Sequence, residues 1–266
     1  MTRKHGMVSW RAVALLRIAI IASIALAWEL LAASGLLFRD VVPSLGVIGS
    51  AVFRLLSDEG FYRNLAITIG EIVAALAIGG VAGLGVGIVL GVNRFLSRAY
   101  ESLIYYLGPT PKIIFFPVLI MWFGVGSGSK IAMGVLSCFF PIAISAAAGM
   151  RQIDPVLIRV GRSFRASTWQ MIASVYLPAM REPLVNGVRL GLGVAIIGTL
   201  LAETKLSNRG IGYLIIQAYS TFDMPRMYAL LIVLFALSIG ANALLGGLAR
   251  SDTGEAAPEA ARMPVQ

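Results

Sequence analysis

The chain has 266 residues, 58% hydrophobic and only 13% charged, where a soluble domain carries about 25% charged residues; the excess apolar residues fall in long runs, so lipid is the solvent the sequence anticipates. The net charge of +9 has three candidate partners, namely nucleic acid, anionic lipid and a pore anion, and because the basic residues sit between apolar runs rather than on one amphipathic face they favour membrane orientation over nucleic acid. A single cysteine, Cys138, and a single histidine, His5, exclude an intrachain disulfide and leave no support for a His/Cys metal site.

In chain order, residues 1–11 form a short basic tail. Ala12 to Leu37 read as a first span. Ala25-Leu26-Ala27 resembles a signal-peptide cleavage site, but the apolar run continues past it, so an uncleaved helix is expected. From Pro43 onward, Val47, Ile48, Ala51, Val52, Leu55 and Leu56 recur at helical spacing, with Arg54, Asp58 and Glu59 opposite. That pattern predicts a surface helix lying along the membrane. Residues 12–64 thus hold the first span and an outer surface helix, and 65–249 form the membrane core.

The second span covers Leu65 to Val92. Gly79, Gly83, Gly87 and Gly91 recur every four residues, a ladder of small residues that lets another helix approach closely. The third runs from Leu103 to Phe123, and Pro109, Pro111 and Pro117 predict a break or kink within it. GVGSGSK (124–130) only mimics a phosphate-binding loop, because Ser129 stands where glycine must precede the lysine, and no ATP site is expected in this chain. A fourth span, Ile131 to Met150, is interrupted by Pro141. A fifth runs from Val188 to Ala202 and a sixth from Met227 to Ala249, followed by a polar tail, 250–266, of disordered composition.

The expectation is therefore an all-α polytopic membrane protein with about six spans. Six spans put both termini on one side. Fifteen Lys and Arg residues then fall on the side of the termini and of loop 151–189, and seven on the other, which predicts a cytoplasmic location for termini and loop.

That loop carries Arg151, Arg159, Arg162, Arg165, Arg181 and Arg189. Asp154 can cap a helix that starts at Pro155. On it Val156, Val160 and Phe164 make one apolar stripe, too short to cross a bilayer. A second helix starts near Ser167 or Thr168, carries Trp169, Ile172, Val175 and Tyr176, and ends at Pro178. This helix–turn–helix must lay its stripe against either the membrane or a protein groove.

The loop resembles the signature of inner-membrane permease subunits of ATP-binding-cassette importers. Gly161, Arg162, Ser163, Phe164, Ala166 and Ser167 fit that pattern, as do Leu177 and Pro178 a dozen residues on. Similar stretches are 109–130, 187–203, 210–215, and Trp28-Glu29 with Pro43-Ser44, so the resemblance covers residues 20–248. It is strongest to the branch that serves nitrate, aliphatic sulfonates and taurine. The family glutamate aligns with Arg159 and the family's central glycine with Arg165. If Arg165 adopts the left-handed conformation that glycine serves at a helix end, the cost is on the order of 1 kcal/mol.

The resemblance implies a homodimer in the inner membrane of a bacterium. A separate cytoplasmic ATPase would hold ATP and Mg, and a soluble substrate-binding protein would deliver cargo at the other face. This chain would be no enzyme and carry no cofactor of its own. Arg159, Gly161, Arg162, Phe164, Arg165, Ala166, Ser167, Leu177 and Pro178 would form the ATPase-coupling site, with Phe164 as the apolar plug. Glu71, Asn186, Thr199 and Glu203 are path candidates, although Glu71 and Glu203 can equally sit at the outer interface. The alternatives are a secondary transporter, which works without an ATPase, and a permease for a vitamin or pyrimidine precursor.

Overall fold

The structure, a computed structural model, describes residues 10–35 and 41–251, with side chains over 12–35 and 41–247. Of the expected tails, 1–9 and 252–266 lie outside the described residues, as does the end of the expected first span at Leu36 and Leu37. The described chain is all helix without a strand: α1 (Trp10–Ala33), α2 (Leu45–Leu56), α3 (Glu59–Val92), α4 (Arg94–Leu107), a 3-10 turn (Lys112–Phe115), α5 (Phe116–Phe123), α6 (Ser127–Gln152), α7 (Pro155–Ser163), α8 (Thr168–Met171), a π turn (Ile172–Tyr176), α9 (Leu177–Ala179), α10 (Arg181–Lys205), α11 (Ile211–Ser220) and α12 (Met224–Ser251). Among them α1, α3, α6, α10 and α12 are long and apolar enough to cross a bilayer. A sixth span results if α4 and Lys112–Phe123, bent by 92° from one another, count as one. The prolines at 109 and 111 account for that break, since neither supplies a backbone donor.

Two compact units divide the chain, Met1–Phe61 with Ile215–Val233, and Tyr62–Leu214 with Leu234–Gln266. In the first, Trp28 Nε1 donates to the Pro43 carbonyl at 3.0 Å, and Glu29 accepts from the Leu45 N–H at 3.0 Å. Ser44 caps α2 by accepting from Val47 N, so the Trp28-Glu29 and Pro43-Ser44 pairs, far apart in sequence, fix one another. Trp28 also meets the Tyr228 ring edge-on at 5.3 Å. Helix α2 is amphipathic as expected: Ile48, Ala51 and Leu55 are buried and Phe53 is exposed.

The core of the second unit is a three-helix sandwich with α6 in the middle. A Cβ added at Gly87 would lie 2.4 Å from Ala146 Cβ, and one at Gly91 2.2 Å from Met150 Cβ. The glycine ladder of α3 is therefore the groove into which α6 sinks, and rising numbers on both helices make them parallel. On the other face, Gly187, Gly191 and Gly198 of α10 bring its backbone against Ser145, Ile142 and Ser137, in reversed order, so α10 is antiparallel. Lipid supplies no hydrophobic drive between helices, and close backbone approach gains dispersion contacts instead. Cys138, Ile142, Ala143 and Ala146 are fully buried in consequence.

One proline reading is corrected and another is shifted by one residue. Helix α6 runs unbroken through Pro141. Packing on both faces holds it, and the cost is confined to the Ser137 carbonyl, which loses its intrahelical donor. Pro178 sits inside the last turn of the second loop helix rather than just after it, because the π turn before it shifts the hydrogen-bond register: Leu177 N donates to Ile172 O, five residues back. That extra residue relieves the clash a proline ring makes with the carbonyl four residues back. The helix ends one residue past the proline, at Ala179, where Met180 leaves helical geometry (φ −102°, ψ 17°), and α10 starts at Arg181, seven residues earlier than the apolar run predicts.

Candidate functional site

Helices α7 and α8 form the expected hairpin. Asp154 Oδ1 accepts from Val156 N at 2.8 Å, with Pro155 at the first helical position. The far end of α7 closes by two bonds, Arg165 N to Arg162 O at 2.9 Å and Ala166 N to Gly161 O at 3.1 Å. This six-to-one and five-to-two pair puts the residue between them in the left-handed region, and Arg165 has φ 51°. An arginine therefore holds the conformation usually left to glycine, at a cost of about 1 kcal/mol. Ser167 and Gln170 then make a reciprocal capping box, 3.3 Å and 2.7 Å, that starts α8.

Gly161 shows why the hairpin closes so tightly. It is buried, and a Cβ there would lie 2.5 Å from Met171 Sδ. Met171, Tyr176, Met180 and Ile153 pack with Met150 and Ala146 of α6, and Ala166 joins this cluster. Arg151, at the end of α6, pairs with Glu101 of α4 at 2.7 Å. The hairpin is thus anchored from below while its outer face is bare. Phe164 is 82% exposed and Trp169 74% exposed, and Val156 and Val160 are about half exposed beside them. Arg159, Arg162, Arg165 and Ser167 are exposed around this stripe, Leu177 is half-buried and Pro178 exposed.

The path candidates separate. Glu71, Thr199 and Glu203 are buried in the second unit, at 4%, 0% and 1% exposure, whereas Asn186 is exposed on α10. Glu203 accepts from Thr68 Oγ1 at 2.7 Å and from Gly212 N at 2.6 Å, while Thr68 Oγ1 accepts from Ile211 N at 2.8 Å. Asn64 Oδ1 accepts from Gly210 N at 2.7 Å. Gly210 has φ 99°, and a Cβ on it would fall 2.3 Å from Glu203 Oε1. Glu203 therefore ties the start of α11 to α3, and glycine at 210 is the condition for it. Lys130 is buried, its ammonium donates to the Val125 carbonyl, and it lies within electrostatic reach of Glu71 and Glu203. Among the described residues Glu71 Oε2 and Thr199 Oγ1 have no hydrogen-bond partner.

Sequence reading missed Thr68, Asn64 and Lys130 in this cluster. Thr68 and Glu203 are 135 residues apart, and no local pattern announces their contact. It also missed a hollow of about 610 Å³ beside the break between α4 and α5, facing α6 and α10. Lys112, Tyr105, Ser137 and Ser145 are its polar lining. No group of metal-ligating side chains occurs among the described residues.

Comparison with known proteins fits this architecture. The pattern of the family described as binding-protein-dependent transport system inner membrane component matches residues 79–251. The taurine transport system permease protein TauC of Escherichia coli is 31% identical over 191 residues, 70% of each chain. The formylaminopyrimidine transport permease protein ThiX of Halalkalibacterium halodurans is 27% identical over 184 residues, 69% of this chain and 74% of that one. Among solved structures, an inward-facing form of the MetNI methionine ABC transporter superposes with a TM-score of 0.63 at 21% identity, covering 71% of this chain and 94% of that one, which shows a shared fold. The chain belongs to the family of binding-protein-dependent transport system inner membrane components, the permease subunits of ATP-binding-cassette importers.

Proposed function

We propose that two copies of this chain form the path of an importer for a small anion and are driven by a separate ATPase at the α7–α8 hairpin. Residues 65–249 form the permease core. Hairpin and termini face the cytoplasm, in keeping with the fifteen-to-seven bias of basic residues. ATP and Mg bind the partner, and a substrate-binding protein delivers cargo at the opposite face. The observation that carries this reading is the bare stripe of Val156, Val160 and Phe164, with Trp169 also exposed, on a capped, anchored hairpin. A stripe held this rigidly is preorganised for a protein cleft, because little conformational freedom is lost on docking.

Arg159, Arg162 and Arg165 surround Phe164 and meet acidic groups on the ATPase or lipid phosphate. Gly161, Ala166, Ser167, Leu177 and Pro178 hold the hairpin's shape. This chain does no covalent chemistry; it is a bundle with two states, biased from its two ends. The cargo reading is supported by the likeness to the taurine permease, whose named cargo carries a sulfonate head, and by the overall positive charge of this chain.

Uptake in liposomes tests the reading. The complete assembly is expected to accumulate labelled taurine or ethanesulfonate only when ATP is supplied on the ATPase side. The permease alone is expected to show none. Uptake by the permease alone, driven by an ion gradient, would instead establish a secondary transporter.

A further inference from the structure

We propose that the hollow beside the broken span is an anion-binding subsite and that Lys112 is the residue that reads the charge of the ligand. This rests on the anion-path reading above and adds to it a place and a residue.

Lys112 opens the 3-10 turn that joins the two arms of the bent span. Its ammonium donates to the Gly108 carbonyl and, at 3.3 Å, to the Thr110 carbonyl. These carbonyls lie in the interrupted stretch between α4 and the 3-10 turn. A neutral donor would satisfy them equally well. The lysine brings a full charge besides, and among the described residues no carboxylate forms an ion pair with it or interacts with it electrostatically. The Phe140 ring, 5.1 Å away, is its only other charge-stabilising neighbour in that set. A half-buried ammonium at the edge of an open, largely apolar concavity calls for a counter-ion, and one of its three protons remains to be donated.

The hollow offers room for that counter-ion. At about 610 Å³ it lies within the range of small-ligand sites. No acidic residue lines it, and the hydroxyls of Ser145 and Tyr105, which do, make no side-chain hydrogen bond among the described residues. The remaining wall is largely apolar, formed by residues such as Ile113, Leu190 and Ile197. One cationic donor, two hydroxyls and an apolar wall suit a compact anionic head on a short body. Non-helical backbone at membrane depth is tolerated where it lines such a cavity.

The test uses the permease–ATPase assembly in nanodiscs, with ethanesulfonate as the anionic probe and ethyl methyl sulfone as its neutral counterpart. Acylation of Lys112 by an amine-reactive ester is followed by peptide mass spectrometry, with exposed Lys205 as the internal reference. Ethanesulfonate is expected to slow acylation of Lys112 about tenfold relative to Lys205, the loss corresponding to one charge-assisted hydrogen bond, and the sulfone to leave it unchanged. Ethanesulfonate is also expected to raise the melting temperature of the wild type and of Lys112→Arg but not of Lys112→Met. Equal acylation with both probes overturns the proposal, as does a preserved rise in Lys112→Met. Should Lys112→Met fail to fold, the acylation arm on the wild type and the response of Lys112→Arg still decide. Protection of Lys112 without any anion uptake supports the subsite while removing the cargo reading. Anion uptake that Lys112→Met leaves unchanged overturns the subsite and leaves the cargo reading standing.

Discussion

A transporter carrying Phe164→Asp is expected to lose its ATPase. Phe164 is 82% exposed at the tip of α7, so the substitution removes nothing from the chain's own core. Insertion into the membrane and the melting temperature should stay as in the wild type. The loss falls entirely on docking. A buried aromatic anchor at an interface is worth about 2–4 kcal/mol, and an aspartate in an apolar cleft adds the cost of desolvating a carboxylate. Together these predict docking weakened by on the order of a thousandfold. ATPase recovered with the tagged permease measures it directly, and ATP-driven uptake should fall in parallel. Phe164→Leu keeps the apolar volume and is expected to retain most of both. Unchanged ATPase recovery in Phe164→Asp would show that α7 is not the contact.

Adding one methyl group at Gly87 is expected to do what Phe164→Asp does not, and open the bundle itself. The new Cβ would lie 2.4 Å from Ala146 Cβ and 2.6 Å from the Ala143 carbonyl oxygen. Both are fixed to the backbone of α6, so neither can swing aside, and the two helices must part. Overpacking of this kind costs about 1–3 kcal/mol and occasionally more, against a gain of up to about 1 kcal/mol from replacing glycine within a helix. The control is two residues away. Gly85 has nothing within 4 Å of its added Cβ, so Gly85→Ala collects only the gain. Melting in detergent or nanodiscs should therefore fall for Gly87→Ala and hold or rise for Gly85→Ala. Equal behaviour of the two variants would contradict the α3–α6 packing.

The same helices show what the sequence could announce and what it could not. Spacing alone identified the glycine ladder, since small residues every four positions have few other uses in a membrane helix. The break near Pro109 and Pro111 was legible because a missing donor is a local fact. Arg165 was legible as a left-handed position only through the family pattern, which places glycine there; the φ of 51° agrees. Pro141 misled because the cost of a proline depends on its surroundings, here packing by two neighbouring helices, whereas the helix at Pro178 ends within one residue of the expected place, after a π turn that accommodates the ring. The cluster around Glu203 was half visible. A carboxylate next to an apolar span attracts attention, but Thr68, Lys130 and the Gly210 turn come together only through the three-helix packing. Lys130, one of the seven basic residues that the charge count puts on the outer side, is instead buried. Lys112 reads in the sequence only as one of the fifteen basic residues on the side of the termini, and its place beside a hollow appears only once the chain is folded.

The most direct measurement places a single cysteine at position 164, in a Cys138→Ala background, opposite single cysteines along the cleft of the ATPase subunit. The expected result is a disulfide between permease and ATPase under mild oxidation, whose efficiency changes when ATP is added, while a membrane-impermeant thiol reagent supplied from the binding-protein side leaves residue 164 unlabelled. Labelling of residue 164 from that outer side, or an actively transporting assembly in which no cleft position cross-links, would contradict the claim that this hairpin takes the stroke of the ATPase.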